Sequence, residues 1–247
     1  MTQQVDTLFI NALVLTMDQD FRQYHPGAVA VKGDSIVAVG LEEEIKQEYS
    51  AKETVDCSGK VLMPGLINAH THVPMTLLRG LADDLRLDVW LMGYMMPVER
   101  EFVSPEFVRL GTLLACAEQI RSGVTTFNDM YYFEEDVAKA AADAGMRAVC
   151  GQTVMKFPAP DAASYEDSLQ MAREFIQRWK DHPLIVPAVS PHAPYTCTAN
   201  PARDCRACQG VRRAAAYAPG GNRLRSGKHA QRTWHPGDSL CEEAGLV

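Results

Sequence analysis

Met63-Pro64-Gly65-Leu66-Ile67-Asn68-Ala69-His70-Thr71-His72 joins an apolar run to a pair of histidines one residue apart. Counted from Val61 to Ala69, the run is of the kind that parallel sheets bury on both faces. In a strand, alternate side chains share a face, so His70 and His72 project the same way at its C-terminal end. In a (β/α)8 barrel that end is the catalytic face. Two neutral imidazoles there can ligate a divalent cation such as zinc. A bare His-x-His carries little information; after a Pro-Gly break and an apolar strand it becomes a specific signal.

Toward the N-terminus the chain is strand-like over residues 5–60. Val5 to Met17 is apolar and β-branched, and two further runs, 28–32 and 35–39, flank Gly33-Asp34, a pair suited to a tight hairpin turn. Toward the C-terminus, strands and helices alternate. Ser104-Pro105-Glu106 supplies an N-cap serine, a proline at the first helical position and an early acid, and predicts a helix that runs to Ser122 and stops at Gly123. Thr125-Thr126-Phe127 is the next strand. A helix over 134–144 ends at Gly145, a strand covers 147–151, Ser164 caps a helix to Trp179, and 184–190 is a fourth strand. Repeated βα units imply an α/β fold: about four strands of an incomplete (β/α)8 TIM-type barrel, preceded by a small β-sandwich unit. The expected domains are 1–60 for the β unit, 61–200 for the half barrel and 201–247 for a tail.

Composition narrows the function classes. The chain has 247 residues, 47% hydrophobic and 22% charged, as in globular enzymes. A net charge of −7 argues against nucleic acid or an anionic membrane as partner. No apolar run reaches the length of a membrane span, and Met1-Thr2-Gln3-Gln4 does not resemble a signal peptide. Seven irregularly spaced cysteines fit packed thiols in a reducing compartment, so a cytoplasmic protein is expected.

Pro64 to His72 resembles the first barrel strand of the amidohydrolase superfamily. Leu78-Arg79-Gly80-Leu81-Ala82-Asp83-Asp84, Trp90-Leu91 and Pro97-Val98-Glu99 are similar to the branch that holds S-adenosylhomocysteine and 5′-methylthioadenosine deaminases and the triazine hydrolases. Residues 122–130 (SGVTTFNDM) and 190–195 (SPHAPY) fit the same branch, so the resemblance covers about residues 5–200. It implies one divalent metal, zinc or iron, that activates water for attack on an electrophilic ring carbon with release of ammonia. It further implies His70 and His72 as metal ligands, Glu99 as a ribose-binding acid and His192 as a substrate contact, with Trp90 lining the pocket. The substrate is then a small nucleoside or heterocycle, and the intact parent is a homo-oligomer in many members. From spacing alone Glu99 reads first as a solvated helix-face acid beside Arg100. Asp129 could orient a metal-ligating histidine or form a turn, and His182, at the wrong end of its strand, reads as structural.

After Asn200 the character of the chain changes. Residues 1–200 carry a formal charge of −11 and residues 201–247 carry +4, with seven arginines, six glycines and no Ile, Phe or Met in the latter. Such a segment is expected to be disordered, and a shifted reading frame explains the abrupt switch. Cys205, Cys208, His229 and His235 have the ligand types of a zinc site but not its spacing. The family's His-x-x-Glu element, a later histidine and a strand-end aspartate do not follow, so no acid/base catalyst is assigned. The expected outcome is a deaminase-type hydrolase of impaired activity. The alternatives are a triazine or guanine aminohydrolase of the same branch, and an inactive chain that pairs with another.

Overall fold

The computed structural model describes residues 2–193 and 196–197. Two sheets organise them. The first is mixed and built from β1 (Gln3–Leu15), β2 (Gln23–Lys32), β3 (Ser35–Leu41), β4 (Tyr49–Asp56) and the short β5 (Val61–Leu62). Its order is β3-β2-β1-β4, with β5 also pairing β1. Lys32 pairs with Ser35 across a two-residue turn, and Gly33 sits at φ +60°, a region open to glycine, so the expected hairpin forms where its turn chemistry lies. A helix that the periodicity did not reveal, α1 (Glu42–Glu48), lays Ile45 on Val5, Leu8, Ala28 and Ala30.

The second sheet is all parallel, in the order β6 (Leu66–Thr71), β7 (Val124–Tyr131), β8 (Arg147–Val154), β9 (Ile185–Pro191). The connections carry α2 (Met96–Phe102), α3 (Pro105–Arg121), α4 (Glu134–Asp143) and α5 (Tyr165–Trp179). This is the four-strand βα succession expected of part of a barrel. Its core packs Val108, Ala115 and Cys116 of α3 and Val137, Ala138 and Ala141 of α4 against Phe127, Ala148 and Cys150 of the sheet. Cys57, Cys116 and Cys150 are buried free thiols, as their apolar neighbours predicted.

Helix ends fall where the caps put them. Ser104 Oγ accepts from Phe107 N at 3.2 Å and Ser164 Oγ from Asp167 N at 3.1 Å. Gly123 and Gly145 take φ +77° and +72° just past α3 and α4.

One expectation fails. Val61 to Ala69 is not a single strand buried on both faces. Val61-Leu62 belongs to the first sheet, while Leu66–Thr71 begins the second. Pro64 cannot donate a ladder hydrogen bond, and a Cβ at Gly65 would collide with the Thr125 side chain, so the chain changes sheets there. Among the described residues β6 is an edge strand, with Leu66 50% and Ile67 70% exposed. Residues 201–247, including the four tail ligand types, lie outside the described residues.

Candidate active site

The C-terminal ends of β6, β7 and β9 converge, the side of such sheets on which ligands bind. His70 lies within β6, and His72, just beyond it, opens a 3-10 turn over Val73–Leu78. Their rings meet edge to face with centroids 5.2 Å apart, and both line a cavity of about 310 Å³. The alternation argument thus brings the pair together, although only His70 is in the strand.

His72 is held by the neighbouring strand. Its Nδ1 lies 2.6 Å from the Met130 carbonyl oxygen. A carbonyl only accepts, so Nδ1 carries the proton and Nε2 keeps its lone pair. Burial lowers the His72 pKa from its ordinary value, against the opposing effect of the Met130 hydrogen bond and with a smaller lowering by His70. A neutral imidazole fixed through one nitrogen to a carbonyl is the ordinary form of a metal ligand. In donor chemistry the pair fits a divalent cation. Among the described residues no group of three His, Cys, Asp or Glu side chains assembles, so His70 and His72 are a partial ligand set.

Glu99 reaches the same cavity from α2, and the solvated-face alternative is excluded: it is 6% exposed. The segment before it explains the burial. A π-helical turn over Val89–Met95 runs directly into α2 and folds back over the strand ends. Tyr131 donates its hydroxyl to Glu99 Oε1 at 2.9 Å. Burial raises the Glu99 carboxyl to about 7, against the opposing effect of that hydrogen bond. Tyr131 itself is pushed well above the ordinary phenol range by burial and then by Glu99, so it remains a donor.

His192 follows β9 and lines the cavity too. Its backbone N–H donates to Val154 O at 3.1 Å, and its Nδ1 lies 2.8 Å from Thr196 Oγ1. Burial lowers its pKa, with His72 adding to the effect. Trp90 forms part of the apolar wall with Leu91 and Met95. His182 packs edge to face on Trp179 and accepts from Leu184 N at 3.3 Å, away from the cavity. Sequence reasoning missed Tyr131 as the partner of Glu99. Nothing local announces it, since the two residues stand on different elements.

Known proteins share the sequence and fold of this chain. A family model described as "Amidohydrolase family" matches residues 61–216. The 5-methylthioadenosine/S-adenosylhomocysteine deaminase of Syntrophobacter fumaroxidans is 51% identical over 197 residues, which span 80% of this chain and 45% of that protein. A protein of the same name from Aquifex aeolicus is 47% identical over 175 residues, 71% of this chain and 40% of the relative. An adenosine deaminase from Xanthomonas campestris, solved with bound zinc, superposes with a TM-score of 0.82 at 39% identity, covering 86% of this chain and 48% of that one. Atrazine chlorohydrolase TrzN from Arthrobacter aurescens shares the fold, with a TM-score of 0.70 at 20% identity over 82% of this chain and 49% of that one. The chain spans about half the length of the curated relatives it matches.

Proposed function

The chain belongs to the amidohydrolase family, and we propose that its cavity binds an adenine nucleoside, of the 5′-methylthioadenosine or S-adenosylhomocysteine kind, for hydrolytic removal of the ring amino group. The observation that carries this is the convergence of His70, His72, Glu99 and His192 on one cavity with an apolar wall. A divalent metal, zinc by the likeness to the zinc-bound adenosine deaminase, would be held through His70 and His72 together with ligands beyond this pair. Bound there, it would supply Lewis acidity and a water made acidic enough to react near neutral pH.

The remaining work falls to the chain. Tyr131 occupies Glu99 Oε1 and leaves Oε2 to a ligand. Above about pH 7, where it ionises, that carboxylate accepts hydrogen bonds from vicinal ribose hydroxyls, which are donors. Trp90, Leu91 and Met95 offer a surface for a flat ring or a thioether and exclude water from it. His192 presents a ring held neutral by burial, able to meet a heterocycle nitrogen or a sugar hydroxyl. No helix among the described residues is long and apolar enough to cross a membrane.

The test is equilibrium binding of 5′-methylthioadenosine, S-adenosylhomocysteine, guanine and a triazine to the zinc-loaded protein, with ammonia release measured alongside. The nucleosides bind best, and Glu99→Ala weakens them at least tenfold while leaving guanine unchanged. Preference for guanine or the triazine moves the assignment to an aminohydrolase of the same branch. A second reading, a protein that pairs with another chain through its open sheet, is favoured by the exposure of Leu66 and Ile67 on β6. Failure of all four compounds to bind would leave that reading standing.

A further inference from the structure

Behind the histidine pair lies a carboxyl group that the function above does not use. Asp129, on β7, is 1% exposed, and its hydrogen bonds run to the neighbours of His72 instead of to an imidazole. Its Oδ1 accepts from Thr71 Oγ1 at 2.5 Å and from Val73 N at 2.7 Å, the residues immediately before and after His72. The next residue on β7, Met130, holds the His72 ring through its carbonyl. Two consecutive residues of β7 therefore grip the Thr71 side chain and the Val73 backbone on either side of His72, and the His72 ring itself.

Beside Asp129 stands the carboxyl of Glu134, the first residue of α4 and wholly buried. Two carboxylates cannot both ionise at such a contact, and burial with Asp129 beside it raises Glu134 well above the ordinary range. Asp129, which already receives two donors, is raised by burial to about 6. Glu134 is thus the buried neighbour of Asp129 on the side away from Thr71 and Val73.

We propose that Asp129, backed by Glu134, is a positioning residue that fixes the turn through Thr71, His72 and Val73 and so presents His72 Nε2 to a divalent cation. It touches neither metal nor substrate. The inference rests on the reading of His70 and His72 as metal ligands, and its test separates the two. Thr71→Val removes one donor at constant shape; Asp129→Ala removes the acceptor; Asp129→Asn retains an acceptor oxygen.

In the 247-residue chain, Co²⁺ and Zn²⁺ affinity is measured by competition with a chromophoric chelator, and the His72 tautomer by imidazole ¹⁵N shifts in the metal-free protein. Thr71→Val and Asp129→Ala are expected to weaken metal binding by about 10- to 100-fold and to blur the His72 Nδ1–H signature, with Asp129→Asn restoring both to within a few-fold. Wild-type affinity and a sharp tautomer in folded Asp129→Ala and Thr71→Val would overturn the proposal. If His70→Ala and His72→Ala leave metal affinity unchanged, the metal reading falls. The tautomer measurement then still decides the positioning role: an undisturbed His72 in both variants overturns it, and a disturbed one sustains it.

Discussion

Glu99 shows how the fold sets the chemistry of one side chain. Below the ordinary glutamate pKa of 4.5, both the folded and the unfolded chain hold its proton, and burial costs nothing. From there up to about 7, the unfolded chain ionises while the folded one keeps the proton. Stability therefore falls as pH rises through that window, by up to roughly 3 kcal/mol once it is passed. Glu99→Gln keeps an oxygen for the Tyr131 hydroxyl and removes the titration. Urea denaturation is expected to show no difference from wild type at pH 4 and a gain of about 1–3 kcal/mol at pH 8. An equal effect at both pH values would contradict the burial of the carboxyl. A site acid that destabilises its own protein at neutral pH is a usual mark of function. The sequence placed Glu99 among the candidates only through its Pro-Val-Glu motif, since spacing alone favoured a solvated acid.

At the scale of elements, the 3-10 turn after His72 is seated on α3. Gly111 of α3 faces Pro74, and a Cβ at that position would press into the Pro74 backbone. The close approach is one only glycine permits, and it sets the height of the turn that carries His72. Gly111→Ala is expected to cost about 1–3 kcal/mol by overpacking, because backbone and not a flexible side chain must move. It should also weaken zinc binding, since the displaced Pro74 is two residues from His72; a thermal melt together with the chelator competition reads both effects. The helices were legible because caps act within four residues: Ser104 and Ser164 sit three positions before the N–H groups they bind. Strands were less so. Thr125 to Phe127 predicted a short strand, yet β7 extends over Val124–Tyr131 because β8 pairs with it as far as Tyr131. The π-helical turn over Val89–Met95 and the start of α2 carried no periodic signal at all.

Across the whole molecule, the parallel sheet leaves β6 and β9 at its edges among the described residues. Ile67, 70% exposed, stands on β6 beside Leu66 at 50%, which makes that strand a template for another chain. The protein is expected to self-associate as its concentration rises. Ile67→Lys, which places a charge on the edge, should shift sedimentation toward the monomer without lowering zinc affinity, because its side chain is not part of the cavity. Unchanged association would assign the contact to another surface. What the sequence by itself determined was local: the caps of α3 and α5, the glycine stops of α3 and α4, the hairpin at Gly33, the run of βα units, and the presentation of His70 and His72 on one side. What only the tertiary structure decided was which distant groups meet them. Asp129 reaches Thr71 across 58 positions because β6 and β7 pair in one register, and Tyr131 reaches Glu99 across 32 because α2 folds over the strand ends. The physical reason is range. A cap or an alternating pattern is satisfied by neighbours along the chain, whereas a contact between elements depends on sheet register and core packing that no single segment encodes.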